Sequence, residues 1–197
     1  MYSIAITIPS IKDNLEEQLK CIQETSTGNF SIYTSQTKNS ASYNRNRCLE
    51  QSVDNDFVIM IDDDISGFFT GWNEVLVKPF MEDNRICLVA ARLINKDGTI
   101  HATIAGNRDT SNRLCVVGTV CSACIAFRKT EIRFDENFVG SGFEDTDFVR
   151  QIVQNNNGGK IVINNDCKLI HINEMKGQTG ENNTVNQRYY VEKWSRR

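Results

Sequence analysis

The sequence predicts an α/β fold of three layers, with helices on both faces of a mostly parallel central sheet. Three observations carry that expectation. Through the first half of the chain, short β-branched runs alternate with helix-period segments, the pattern of strands joined by right-handed helical crossovers. Residues 56–61 read Asp-Phe-Val-Ile-Met-Ile, the near-continuous apolar run of a strand buried on both faces. The 197 residues, 40% hydrophobic and 24% charged, suffice for one real core, and no repeat or low-complexity linker divides them.

The elements follow in order. Residues 3–8 read as a buried strand ended by Pro9-Ser10. Segment 14–25 puts Leu15, Leu19 and Ile22 on one helical face, with Glu16 and Glu17 near its start, where the helix dipole favours them. A short strand over 30–34 precedes a helix over 40–52 that carries Arg45, Arg47 and Glu50. The strand 56–61 stops at Asp62-Asp63-Asp64. A helix over 72–81 should bend or end at Pro79. A buried strand over 86–93 runs into a turn at Lys96-Asp97-Gly98.

Beyond that turn, 116–128 reads as one strand, 133–142 as a glycine-containing loop and 144–155 as a helix that opens on acids. Two short strand-like pieces follow over 160–164 and 168–172. A polar mobile loop is expected over 177–183 and a terminal helix over 186–194. The economical organisation is a single domain over 1–197, in which 176–197 form a mobile loop and a C-terminal helix or tail.

Composition narrows the classes. A net charge of −3 gives no global pull toward nucleic acid. Seven cysteines are an odd number at scattered positions, and the lone pair Cys121 and Cys124 lacks the second pair a structural zinc site needs. Mostly buried thiols in a reducing, cytoplasmic setting are expected. No charged leader with an apolar core opens the sequence, and no apolar stretch approaches a membrane span. The tail, 187–197, mixes Tyr189, Tyr190 and Trp194 with cations. It suits either peripheral membrane contact, nucleic acid or a homo-oligomer partner, or a helix that packs its aromatics on the domain.

Three features carry chemistry. Asp62-Asp63-Asp64 stands at the carboxyl end of a buried strand, where ligands bind in open α/β sheets. Adjacent carboxylates repel one another unless a cation or donor-rich pocket compensates, and a divalent ion is the natural partner; the competing reading is a solvated acidic turn. Gly140-Ser-Gly142-Phe-Glu144-Asp145-Thr-Asp147 puts glycines before an acidic helix start. One of its carboxylates could serve as a general base, or the acids could simply favour the first turn. His171 lies in an apolar strand, and His101 is the only other histidine. It is either a satisfied core residue or an imidazole ligand for a manganese-like ion.

Taken in order, these features resemble an inverting glycosyltransferase of the GT-A fold, family 2 type. Ile4-Ala-Ile-Thr-Ile-Pro9-Ser10 is similar to the family's opening strand, and Ser42-Tyr-Asn-Arg45-Asn46-Arg47 to its Ala-Arg-Asn-x-Gly helix. Ile61-Asp62-Asp63-Asp64 resembles the Leu-Asp-x-Asp metal motif, followed by Gly71-Trp72; Asp97-Gly98 sits in the Pro-Asp-Gly connection. Ala123-Cys-Ile-Ala-Phe-Arg128 resembles the strand ending in Arg, and Glu144-Asp145-Thr146-Asp147 the Glu-Asp-x-Asp block. The resemblance covers roughly residues 3–175.

It implies transfer of a sugar from a nucleoside-diphosphate sugar to an acceptor hydroxyl, with a divalent cation, Mn2+ or Mg2+. Asp64 would bind the ion and His171 would supply a second ligand or a phosphate contact. Asp62 and Asp63 belong to the donor side, Asp62 touching the ribose or an ion-bound water. Pro9, Ser10, Thr34 and Arg45 would line the nucleotide pocket, and 119–122 would lie near the sugar. Asp145 would be the base, with Glu144 as the fallback. The family's acidic segment after the second strand is replaced here by Tyr33-Thr34-Ser35-Gln36-Thr37-Lys38, so the residues that would read the base depart from the family, and a UDP-sugar stands only as the family's default donor. A glycan, a lipid-linked saccharide, a protein or a modified, hydroxylated DNA base are the acceptor classes.

Two other readings compete. A catalytically degenerate carbohydrate- or nucleotide-binding module would share the fold. A nucleotidyltransferase would need a glycine-rich loop after the first strand, and Pro9-Ser10-Ile11-Lys12 has no glycine.

Overall fold

The computed structural model describes residues 2–12, 14–101, 109–140, 142–172 and 181–195. Eight strands form one mixed sheet: β1 (Ile4–Ser10), β2 (Phe30–Gln36), β3 (Phe57–Ile61), β4 (Ile65–Ser66), β5 (Ile86–Ile94), β6 (Leu114–Val117), β7 (Cys124–Arg128) and β8 (Lys160–His171). The helices are α1 (Glu16–Thr25), α2 (Ala41–Gln51), α3 (Trp72–Val77), α4 (Pro79–Glu82), α5 (Glu144–Asn155) and α6 (Glu181–Ser195). Strands run in the order β2-β1-β3-β7-β5-β8-β4, with β6 paired to β8.

The expectation of a mostly parallel sheet is corrected. β1 pairs in parallel with β2 and β3, and β5 with β8, but β7 runs antiparallel to both β3 and β5, and β4 and β6 run antiparallel to β8. The cause lies in the segment expected as one strand over 116–128. It divides into β6 and β7, and among the described residues no helix stands between β5 and β7. Without a crossover helix the chain returns antiparallel.

Two other boundaries moved. The pieces expected at 160–164 and 168–172 are one strand, β8, whose register against β5 shifts between Ala91 and Arg92. Its polar interruption is internally satisfied: Asn164 Nδ2 donates to the Val75 carbonyl at 2.9 Å and Asn165 Oδ1 accepts from Arg92 Nε at 2.6 Å. Pro79 does end α3 and opens α4, where its missing N–H costs nothing. Of the loop expected over 177–183, residues 177–180 lie outside the described residues, and 181–183 are already helical.

Alternation along the strands builds two cores. Ile6, Ile8, Ile59 and Ile61 face Ile22, Trp72 and Phe80 of α1, α3 and α4. Val58 and Met60 share the opposite core with Leu49 of α2 and Phe148 and Ile152 of α5. All seven cysteines are free thiols. No described helix is long and apolar enough to cross a membrane.

The tail helix α6 packs on its own domain. Asp147, fully buried in α5, accepts from Trp194 Nε1 and Lys193 Nζ, both at 2.9 Å, and from Gln151 Nε2 at 2.7 Å. Asp135 accepts from Lys193 Nζ at 2.6 Å and Tyr189 Oη at 2.9 Å. Arg150 lies 4.2 Å over the Trp194 ring.

Candidate functional site

The carboxyl ends of β1, β2 and β3 form the floor. Pro9 lies opposite Ser35 of β2, beyond the last β1–β3 pair at Thr7 and Met60, so its missing N–H leaves no gap on the β3 side. Thr34, half-buried, lies opposite Ile8. The Asp62-Asp63-Asp64 turn is pinned from three sides. Asp62 N–H donates to the Ala123 carbonyl and Ile172 N–H to the Asp64 carbonyl, both at 2.8 Å. Gln18 Nε2 donates to the carbonyls of Asp62 and Ile65 at 3.0 and 3.2 Å. Ser10 Oγ donates to Asp63 Oδ2, and Lys12 Nζ pairs with Asp63 Oδ1 at 2.9 Å. Ser10 and Asp63, both assigned to the donor side by the family resemblance, are direct hydrogen-bond partners.

Arg45 is delivered by α2, whose start is fixed by Ser40 Oγ accepting from Tyr43 N–H at 3.2 Å. Its neighbours hold the helix down. Asn44 Oδ1 accepts from Ser35 Oγ and Thr37 Oγ1, both at 2.8 Å. Asn46 exchanges bonds with the Phe134 backbone at 2.8 and 2.9 Å. Phe134 in turn lies 5.1 Å under the Arg45 guanidinium and stacks on Phe148 at 4.0 Å.

The guanidinium, only 6% exposed, faces three carboxylates: Asp145 at 3.0 Å, Asp62 at 3.3 Å and Glu144 at 3.4 Å. Arg45 therefore joins the Asp-rich turn to the acidic helix start. Burial acts to lower its pKa, but Asp145, Asp62 and Glu144 outweigh burial and hold it above the ordinary arginine value. One cation does not neutralise three anions. Burial, together with repulsion from Asp145, raises the Glu144 pKa against the pull of Arg45. Burial likewise raises that of Asp62, with Asp145 and Asp64 adding to it and Arg45 opposing.

Glu144 and Asp145 differ in access. Glu144 is 4% exposed and is capped by the Gly142 N–H. The Asp145 side chain is 18% exposed; its Oδ1 accepts from Ser122 Oγ at 2.6 Å and its Oδ2 from Ser122 N–H at 3.2 Å. The turn that presents both acids is strained: Gly142 has φ 115° and Phe143, not a glycine, has φ 68°, a conformation that costs about 1–3 kcal/mol. α6 supports it, with Asn186 Nδ2 donating to the Gly142 carbonyl at 2.9 Å and Tyr190 packing 5.5 Å from the Phe143 ring.

His171 reaches the site through strand pairing: it lies opposite Ile65 in β4, the residue after Asp64. Its Nε2 stands 3.4 Å from Asp64 Oδ1. Two groups bound at right angles to one ion at about 2.1 Å lie about 3 Å apart, so this pair fits a shared cation. Among the described residues no group of three or more His, Cys, Asp or Glu side chains is arranged to hold a metal. Asp64 and His171 would supply one carboxylate and one imidazole to such an ion, which would keep its other positions open to oxygen ligands. A cleft of about 440 Å³ opens beside the turn, lined by Lys12, Gln18, Asp63, Phe68 and Ile172 among others, within the usual size of small-molecule sites.

Two contributions escaped the sequence reading. Asp147, the last acid of the Glu-Asp-x-Asp block, bonds Lys193 and Trp194 of α6, whereas Glu144 and Asp145 pair with Arg45. His101, 4% exposed, packs its ring against that of His171, centroids 4.3 Å apart and tilted by 44°. The scarcity of histidine, with only two in the chain, was the signal that could have paired them.

No protein-family model matches this chain, and no curated protein sequence does. Solved structures do. GalNAc-T7 with UDP, GalNAc and Mn2+ matches at a TM-score of 0.67 and 12% identity, covering 98% of this chain and 48% of that one. This chain thus spans about half the length of GalNAc-T7. A197 from STIV matches at a TM-score of 0.55 and 14% identity, covering 92% of this chain and 99% of that one. Both likenesses are of fold, and they define a GT-A-like α/β domain.

Proposed function

We propose that this chain is a metal-dependent, inverting glycosyltransferase that moves a sugar from a nucleoside-diphosphate sugar to an acceptor hydroxyl. The observation that carries the reading is the Arg45 bridge, which sets Asp62 of the Asp-rich turn beside Glu144 and Asp145 at the carboxyl edge of the sheet. A donor-side acid cluster and a base are then within one side chain of each other. That GalNAc-T7, a fold neighbour, was crystallised with UDP, GalNAc and Mn2+ supports a nucleotide-sugar donor.

Asp145 is the base in this reading, because it is the more open of the two acids and Ser122 fixes its orientation. Asp145 Oδ2 takes the acceptor proton as the acceptor oxygen bonds to the anomeric carbon. The bond from that carbon to the diphosphate oxygen breaks, and its electron pair leaves with the nucleoside diphosphate. Asp64 and His171 would hold the divalent cation, which when bound neutralises charge on the departing diphosphate. Lys12, paired with Asp63 and lining the cleft, would offer a second cation to the phosphates.

The test is a mass-spectrometric screen of nucleotide sugars for Mn2+-dependent hydrolysis and transfer. Asp64→Asn should abolish the metal dependence and Asp145→Asn should cut turnover by about 10²–10⁴-fold with donor binding kept. Full turnover in Asp145→Asn would remove the base assignment. Donor binding without turnover across an acceptor panel would favour the binding-module alternative.

A further inference from the structure

The turn after β5 is built in a way that the proposed reaction does not use. Asp97 has only acceptors, so Thr99 must spend its hydroxyl proton on it, at 2.6 Å. Thr99 Oγ1 is then the acceptor for Asn95 Nδ2, at 2.9 Å. This fixes the Asn95 amide with Oδ1 outward, where it meets His101 Nδ1 at 2.8 Å. An amide oxygen can only accept, so Nδ1 of His101 carries the proton and the ring's orientation is set. Backbone pairing seats the ring: Ile94 bridges Ile100, and His101 N–H donates to the Leu93 carbonyl at 3.0 Å. The anchored ring is buried against His171, centroids 4.3 Å apart at 44°, on the imidazole whose Nε2 faces Asp64.

We propose that His101 is a positioning residue for the cation site: the Asp97-Thr99-Asn95 relay locks its ring, and that ring holds the His171 imidazole toward Asp64. The inference rests on the metal-dependent reading above. Its physical basis is that a ligand ring left to rotate loses affinity, and partners that orient metal ligands are typically worth about 10–100-fold in binding. Among the described residues Asp64 and His171 are the two candidate ligands, so the orientation of one of them weighs heavily here.

The experiment is Mn2+ binding to the full chain, with and without UDP, by titration calorimetry and by pulsed EPR of the ¹⁴N coupling from the bound imidazole. His101→Ala should weaken Mn2+ binding about 10–100-fold and reduce the nitrogen coupling, with the far-UV circular dichroism unchanged. Asn95→Ala, at a partly exposed turn, keeps the imidazole but frees its ring; it should lose affinity in the same direction and carries the test if His101→Ala does not fold. Wild-type affinity and coupling in Asn95→Ala or in a folded His101→Ala, with both lost in His171→Ala, would overturn the role of His101 and leave the metal site standing. No Mn2+ binding by the wild type in the presence of UDP would overturn the metal-dependent reading itself, and the role of His101 with it.

Discussion

Arg45 is a buried cation in contact with three carboxylates, and two of those, Asp62 and Glu144, have raised pKa values. Removing it leaves three clustered carboxylates without their cation, a change that costs about 3–5 kcal/mol where such a pair is buried. Arg45→Ala should lose that much in denaturant unfolding at pH 7, and less as the pH is lowered and protonation relieves the acids whose pKa values are raised. Arg45→Lys keeps the charge but not the planar fork, and should fall between. Glu144 adds a second pH signature. Its folded pKa lies above the unfolded value, so the folded state binds the extra proton and stability falls as pH rises from the unfolded value through the folded one. Glu144→Gln should flatten that slope; an unchanged slope would mean another group carries it. The acids themselves were legible, because carboxylates at a strand end and at a helix start are local patterns. The bridge was not, since Arg45 meets Glu144 and Asp145 across 99 and 100 residues, and nothing local distinguishes a guanidinium that meets phosphate from one that meets carboxylates.

The element that most changes meaning is α6. Its aromatic and cationic residues suggested a membrane, nucleic-acid or oligomer contact, or docking on the domain, and the structure docks them on α5 and the segment before it. Period alone could not decide this, because the partners Asp135 and Asp147 are defined only by the tertiary fold. α6 also props the strained Gly142-Phe143 turn, so it couples to the site through that turn. Trp194→Ala should therefore lower stability by about 2–4 kcal/mol and also reduce turnover, with hydrogen exchange of 181–195 accelerated first. Acid should loosen the same element. Asp135 is buried enough to resist ionisation, yet Lys193, Asn137 and Tyr189 outweigh burial and bring its pKa down to about 2. A depressed acid contributes stability that is complete above its unfolded value of about 3.8 and lost as pH falls toward 2. Asp135→Asn should erase that acid limb, about 1–2 kcal/mol after solvent screening, and a melt at pH 2–4 identical to the wild type would dismiss the anchor.

At the scale of the molecule, the sequence showed the strand–helix alternation of β1 to β3 and the two-faced burial of β3, and both are present. The mixed sheet was not legible, since β7 is identical in pattern whether it enters parallel or antiparallel; among the described residues no crossover helix joins it to β5, and it pairs antiparallel with both β3 and β5. The antiparallel β4–β8 pairing then places His171, far along the chain, beside Asp64. The proposed cation and donor would therefore bind between distant parts of one sheet, and binding should stabilise the whole fold. A ligand at 100 times its dissociation constant adds about 2.7 kcal/mol, which for a domain of this size is a rise of about 5–10 °C in melting temperature. UDP with Mn2+ should give that shift, and either alone should give much less, because in the proposed site the phosphates would complete the ion's ligands. Asp64→Asn should remove the Mn2+-dependent part while its own melt without ligand stays cooperative. Equal shifts with UDP alone and with UDP plus Mn2+ would show that the nucleotide binds without the ion, and would separate a GT-A-like binding fold from the metal-dependent enzyme proposed here.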